Sequence, residues 1–152
     1  MKKLAKSILV AAALAMPASA LADVAAGDCD WLADMRVVVE PWEENSRTFY
    51  NGNVRVSLGD STEPACCAMH VVILMPDQDN ELGERKCVVI NRGGGMGFSG
   101  VDFKALKSSY DPSTGLTLIF PYSMWDHETN RLGPWKHVHV RINLATGDVT
   151  AR

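Results

Sequence analysis

The sequence contains no apolar run of the roughly 20 residues that a membrane-spanning helix requires. Its apolar run at residues 8–16 is about half that length. We find no second such run and no internal repeat. Basic residues are scarce beyond residue 22, where 12 Lys and Arg stand against 18 Asp and Glu, for a net charge of −6. That charge repels phosphate backbones, so we expect no nucleic-acid partner, and no membrane span after residue 22.

The first 22 residues have the three parts of a Sec-type signal peptide. A positive start is formed by Lys2, Lys3 and Lys6. The short apolar run follows it, and small residues at alternate positions then offer cleavage sites after Ala20 or Ala22. We therefore expect cleavage near Ala22 and delivery of the mature chain to the periplasm, or its secretion. The mature chain, residues 23–152, has the length of a single β-rich domain.

Helical periodicity is also scarce. Only residues 28–35 have a pattern that could form a turn or two of helix. Apolar and polar residues alternate with period two in 54–58 and 137–144, which is typical of half-buried antiparallel strands. The runs 71–74 and 88–90 are apolar at every position, which indicates central strands covered on both faces.

Turn signals separate these strands at regular intervals. Residues 50–53 (Tyr-Asn-Gly-Asn) predict a two-residue Asn-Gly hairpin turn, because both central positions of a type I′ turn need positive φ. Similar signals occur at 111–115 and 145–148. The sequence therefore predicts an all-β domain with little helix. We expect a small antiparallel β-sandwich or partly open β-barrel of about seven to nine strands, cross-linked by disulfides.

Cysteine is limited to four residues, and the Cys-x-x-Cys motif of a redox site is absent. An even number in an exported small domain predicts two disulfides among Cys29, Cys66, Cys67 and Cys87. Neighbouring strand residues point to opposite faces, so we expect Cys66 and Cys67 to reach different partners. In a simple hairpin of the two central strands, however, Cys87 lies opposite Leu74 and beyond the reach of Cys67. Either these strands are not hairpin neighbours, or Cys87 bonds Cys29 and the vicinal pair is special.

Motifs of recognised catalytic chemistry are incomplete. The glycine cluster at 93–97 lacks the Lys-Ser/Thr of a phosphate loop. Residues 97–100 (Gly-Phe-Ser-Gly) place the second Gly one position too early for a nucleophile elbow. Residues 77–81 lack the Gly and the distal Glu of a calcium loop. We therefore expect a non-enzymatic protein, with a hydrolase of unrecognised active site as an alternative.

The long connection at residues 123–136 is the strongest candidate for binding. Irregular connections of this length are usually functional or mobile, and Trp and Arg are common in binding hot spots. The predicted ligand- or partner-binding residues are Trp125, His127, Arg131 and Trp135. This favours an exported binding or interaction protein, such as an inhibitor or accessory factor, whose partner in the cell envelope is unknown. The alternative is that one or both Trp side chains cap the end of the core.

A metal site is the second functional hypothesis. His137 and His139 are two residues apart on a strand and share a face, and two imidazoles at this spacing can hold copper or zinc. His127 is the predicted third ligand, with Met124 and His70 as further donors. The alternative is a solvated polar face opposite the apolar face of the same strand. No other cofactor is expected.

Overall fold

The computed structural model describes residues 23–64 and 66–152, so the predicted signal peptide lies outside the described residues. The chain is mostly β, with antiparallel sheets and two disulfides. The strands are β1 (Ala25–Asp28), β2 (Ser46–Phe49), β3 (Val54–Asp60), β4 (Met69–Pro76), β5 (Arg85–Asn91), β6 (Gly100–Val101), β7 (Lys107–Asp111), β8 (Gly115–Ser123), β9 (Trp125–Asp126), β10 (Arg131–Leu132), β11 (Lys136–Asn143) and β12 (Asp148–Ala151). The helical elements are the 3₁₀ turns Trp31–Ala33 and Met35–Val37 and the short helix α1 (Trp42–Asn45).

Two larger sheets and one small hairpin account for all these strands. The first sheet has the order β1-β5-β4-β3-β2, and the second has β12-β11-β8-β6 with β7 also paired to β8. Strands β9 and β10 pair only with each other. Strand β1 contacts β12, so the two sheets approach along this edge and form a half-barrel. The described residues thus contain twelve strands rather than seven to nine, and three of the twelve have only two residues.

The alternating patterns form the inward faces of both sheets. Val54 and Val56 of β3 are fully buried, as are Val138 and Val140 of β11, and all four belong to one core shared by the two sheets. The intervening residues of β11 are exposed. The period-two prediction for these strands is therefore confirmed.

The central strands β4 and β5 are covered on both faces, as their continuous apolar runs predict. Val71 and Ile73 point into the shared core, whereas Val72 packs on the opposite face with Val89. Leu32, from the first 3₁₀ turn, covers these two valines. The segment predicted to form a turn or two of helix therefore folds as a 3₁₀ cover on the outer face of the first sheet.

The predicted Asn-Gly turn is present at residues 50–53. Asn51 and Gly52 have φ of 55° and 85°, and the Asn53 N–H donates to the Tyr50 carbonyl oxygen at 3.1 Å. Tyr50 also has positive φ, at 51°, so the strand ladder ends one pair earlier, at Phe49 and Val54.

The disulfides are Cys29–Cys87 and Cys66–Cys67. Strands β4 and β5 do form a hairpin in which Leu74 lies opposite Cys87, so the second of the two predicted alternatives is correct. The expectation that Cys66 and Cys67 reach different partners is wrong. Both precede β4 in an irregular loop, where the alternation of strand residues does not apply, and Cys67 has a φ of 69°.

Candidate functional site

Four segments that are distant in sequence meet around a cleft of about 500 Å³. The first 3₁₀ turn contributes Trp31, and the loop between β3 and β4 contributes the vicinal disulfide. The loop after β5 contributes Met96, and the turn between β9 and β10 contributes His127. We call this feature the disulfide cleft. Its volume lies within the range of small-molecule sites.

The vicinal disulfide is held at the cleft by backbone contacts on both sides. The Ser61 N–H donates to the Ala68 carbonyl oxygen at 3.0 Å, which closes the loop that carries the two cysteines. Met69 and Phe98 exchange two backbone hydrogen bonds, of 3.0 and 2.6 Å, across an isolated bridge. Gly97 lies directly against the backbone of Cys67, so that an added Cβ would be 2.3 Å from the Cys67 carbonyl oxygen. Glycine is therefore required at position 97.

Ser99 connects the vicinal disulfide to the β9–β10 hairpin. Its hydroxyl oxygen lies 3.4 Å from the Cys66 sulfur and 3.6 Å from the Cys67 sulfur. The Trp125 N–H donates to the same oxygen at 2.8 Å. Because a backbone N–H can only donate, the Ser99 hydrogen is free to point toward the sulfur atoms. Sequence reasoning considered Ser99 only as part of an incomplete nucleophile elbow and missed this role.

The glycine cluster also contributes to the lining of the cleft. Gly93, Gly94 and Gly95 all have positive φ, between 63° and 81°. The Arg92 N–H donates to the Met96 carbonyl oxygen at 2.7 Å, which closes the loop around these three residues. Both Arg92 and Met96 are exposed and line the cleft, so the loop presents one cation and one flexible apolar side chain.

The predicted binding connection is a short hairpin rather than an irregular loop. Of its four predicted binding residues, His127 lines the disulfide cleft, whereas Trp125, Arg131 and Trp135 are exposed on or beside the hairpin. Trp125 and Trp135 are 38% and 50% exposed, so neither is buried as a cap of the core. Leu132 lies with Trp135 over Gly100, where an added Cβ would be 3.4 Å from the Trp135 ring.

Hydrogen bonds to Asp126 fix the turn that carries His127. The Thr129 hydroxyl donates to Asp126 Oδ2 at 2.8 Å, and the Glu128 and Thr129 N–H groups donate to Oδ1 at 2.8 and 3.3 Å. These bonds, the Thr129 hydroxyl first, lower the pKa of Asp126 below its ordinary value, and the nearby His127 adds to the effect. The charged form of the Asp126 carboxylate therefore accepts the hydrogen bonds that hold the turn.

The predicted metal ligands do not come together. His137 and His139 are exposed on β11, and His139 lines a different cleft with Arg141 and Arg152. His127 lies in the disulfide cleft. In the described ranges, 23–64 and 66–152, no three His, Cys, Asp or Glu residues are placed to hold a metal ion. The structure of these ranges therefore does not bring His127, His137 and His139 together as the metal hypothesis requires.

Of the other two donors proposed from the sequence, His70 lines the same cleft as His127, but its ring nitrogens lie against backbone carbonyl groups. His70 is fully buried, with Nε2 2.5 Å from the Leu32 carbonyl oxygen and Nδ1 3.1 Å from the Ala68 carbonyl oxygen. Both ring nitrogens are thus occupied by backbone groups. Met124 packs against the shared core.

The chemistry of the disulfide cleft combines apolar and charged groups. Trp31 and Met96 are 62% and 53% exposed, and together with the disulfide they give the cleft an apolar surface. Arg92 and Glu63 supply one charge of each sign. Within the described part of the chain, no helix has the length and apolar character needed to cross a membrane. Comparison of the chain with protein-family models, with curated proteins and with solved structures gives no match.

Proposed function

We propose that this protein is an exported, non-enzymatic binding protein that holds a small ligand in the disulfide cleft. The observation that carries the proposal is the meeting of Trp31, Met96, His127 and the vicinal disulfide around one cleft of about 500 Å³. Large apolar side chains left exposed around a concave surface are typical of a ligand site.

The signal-peptide pattern of the first 22 residues and the pairing of all four cysteines support export to the periplasm, where disulfides persist. The scaffold that we propose for residues 23–152 is a single sandwich-like domain, which is supported by the contribution of both larger sheets to one core.

The lining defines the class of ligand. An indole ring and a thioether favour a flat apolar body, because aromatic rings stack on one another and sulfur packs against ring edges. Arg92 favours an anionic group at the edge of that body, and its guanidinium binds a carboxylate or sulfonate through paired hydrogen bonds. We therefore propose an aromatic ligand that carries an anionic group.

Binding of 1-anilinonaphthalene-8-sulfonate, an aromatic sulfonate, tests the proposal by fluorescence titration. We expect saturable binding to the native protein, about tenfold weaker binding to Trp31→Ala/Met96→Ala, and weaker binding to Arg92→Gln. The matched control is Trp42→Ala/Met35→Ala, because this exposed pair lies outside the disulfide cleft. Unsaturable binding, or a larger loss in the control than in the cleft variant, would contradict the proposal.

A second candidate function is docking of a protein partner on the β9–β10 hairpin. Trp125, Leu132 and Trp135 are 38–50% exposed on or beside this hairpin, and exposed Trp side chains are common anchors of interfaces. Pull-down from an oxidised periplasmic extract would compare the native protein with Trp125→Ala/Trp135→Ala. Tyr50→Ala/Tyr110→Ala is the control, because these tyrosines form a separate exposed pair with ring centroids 5.8 Å apart. Unchanged capture by the tryptophan variant would remove the hairpin as the docking site.

A further inference from the structure

We infer that the Cys66–Cys67 disulfide is a thiol-exchange site that reacts with small thiol compounds entering the disulfide cleft. The inference rests on the placement of both cysteines in the lining of the cleft and of both sulfur atoms beside the Ser99 hydroxyl. It goes beyond ligand binding and is independent of it, because exchange requires only that a thiolate reach one sulfur atom.

The two disulfides differ in what they hold together. Cys29–Cys87 joins residues 58 positions apart and packs against the apolar cluster on the outer face of the first sheet. Cys66–Cys67 joins neighbours in sequence, so its reduction opens no long loop of the chain. The fold can therefore remain intact while the vicinal disulfide is broken.

Position and backbone conformation, rather than exposure, separate the vicinal disulfide from Cys29–Cys87, since all four cysteines are partly exposed. Cys66 and Cys67 line the disulfide cleft, and Cys29 and Cys87 do not. Cys67 has a φ of 69°, in the left-handed region that residues with a side chain adopt at an energetic cost. Reduction frees Cys67 to leave this conformation. Accessible disulfides exchange readily with thiols, and the cleft gives a small thiol compound access to the vicinal pair.

The surroundings of the sulfur atoms favour a thiolate when the disulfide opens. The oxygen of Ser99 accepts from the Trp125 N–H, which leaves the Ser99 hydroxyl hydrogen free to donate to a sulfur anion. Arg92 adds a positive charge to the same cleft, which lowers the energy of a thiolate, whereas Glu63 adds a negative one. Because Ser99 acts on the leaving sulfur through its hydrogen bond, we assign it a positioning role.

The exchange is balanced in two steps. A thiolate attacks one cysteine sulfur, the Cys66–Cys67 bond breaks, and a mixed disulfide forms while the other cysteine leaves as a thiolate and takes a proton from water. A second thiolate then attacks the mixed disulfide and releases the compound as its own disulfide, and the second cysteine is protonated. Two thiols are oxidised to one disulfide, and the protein disulfide is reduced to two thiols. An oxidised small disulfide reverses both steps.

Reduction of the folded protein by glutathione tests the inference. The oxidised protein is incubated with graded glutathione, free thiols are trapped with iodoacetamide, and peptide mapping identifies the labelled cysteines. We expect Cys66 and Cys67 to be labelled about tenfold faster than Cys29 and Cys87, with the native circular dichroism spectrum preserved. Labelling of all four cysteines at one rate, or of Cys29 and Cys87 first, would overturn the inference.

Variants of Ser99 test its assigned role in the same reaction. Loss of one hydrogen bond to a developing thiolate predicts about tenfold slower exchange for Ser99→Ala, and rescue by Ser99→Thr, which keeps the hydroxyl. Ser61→Ala is the matched control, because Ser61 lines the same cleft but bonds the Ala68 carbonyl oxygen rather than a sulfur. Equal rates for the two alanine variants would overturn the assignment to Ser99. Neither measurement involves the aromatic probe, so failure of exchange and failure of ligand binding are distinguishable.

Discussion

Gly59 and His70 lie opposite each other on β3 and β4, and their pairing ties the 3₁₀ cover to the first sheet. The imidazole is fully buried and extends across Gly59, where an added Cβ would lie 2.3 Å from the position of Nε2. The same Nε2 reaches the Leu32 carbonyl oxygen at 2.5 Å. A methyl group at position 59 must therefore displace the ring and break this contact.

We expect Gly59→Ala to lower the free energy of unfolding by about 1 to 3 kcal/mol, through overpacking and the loss of a buried hydrogen bond. Urea denaturation measures the change. Gly27→Ala is the control, because nothing lies within 4 Å of an added Cβ there, and its effect is expected to stay within about 0.5 kcal/mol. Equal losses in the two variants would show that His70 has room to move.

The β9–β10 hairpin depends on one carboxylate at its turn. Hydrogen bonds from the Thr129 hydroxyl and from the Glu128 and Thr129 N–H groups lower the pKa of Asp126. A carboxyl group whose pKa is lowered by folding stabilises the folded form above its ordinary pKa, and this stabilisation is lost as the pH falls through the lowered value. We therefore expect the hairpin turn to stay ordered at neutral pH. It should loosen only below pH 3.8, which is the ordinary pKa of the Asp126 carboxyl group.

Titration of the Asp126 carboxyl carbon by NMR measures this pKa directly. Thr129→Val removes the largest cause of the shift, so we expect the pKa of Asp126 to rise toward its ordinary value. Asp111 is the internal control, because its pKa is lowered by Ser113 and should not respond to a change at Thr129. An Asp126 pKa that is the same in both proteins would contradict this account of the turn.

Elements with a periodic pattern were predictable from the sequence, and the short ones were not. The alternation in 54–58 and 137–144 predicts β3 and β11 correctly, because every second residue must enter the core. The two-residue strands β9 and β10 are too short to show any period, so the sequence indicated an irregular connection there. Helix α1, with four residues, gave no signal for the same reason.

The candidate site could not be predicted from the sequence, because it is formed by several segments that are distant along the chain. Trp31, Met96 and His127 come from three connections that meet only after the sheets have formed, and no spacing in the sequence links them. Register reasoning did place Cys87 opposite Leu74, which left the vicinal pairing as one of two alternatives. The cleft itself depends on the path of whole loops, and local patterns do not determine that path.

The two disulfides should contribute very differently to the stability of the whole molecule. Cys29–Cys87 restricts a long loop of the unfolded chain, and such crosslinks typically stabilise a protein by about 2 to 4 kcal/mol. Cys66–Cys67 closes only the ring of two adjacent residues and removes little freedom from the unfolded chain. The contribution of each disulfide to the free energy of unfolding therefore follows from the length of chain that it spans.

We expect Cys29→Ser/Cys87→Ser to lower the free energy of unfolding by about 2 to 4 kcal/mol, and Cys66→Ser/Cys67→Ser by less than about 1 kcal/mol. Urea denaturation of both double variants gives the two values under one condition. Equal losses would mean that the vicinal pair also holds the fold together, and it could not then open in the folded protein. A small loss for the vicinal pair is therefore the thermodynamic condition that thiol exchange in the folded protein requires.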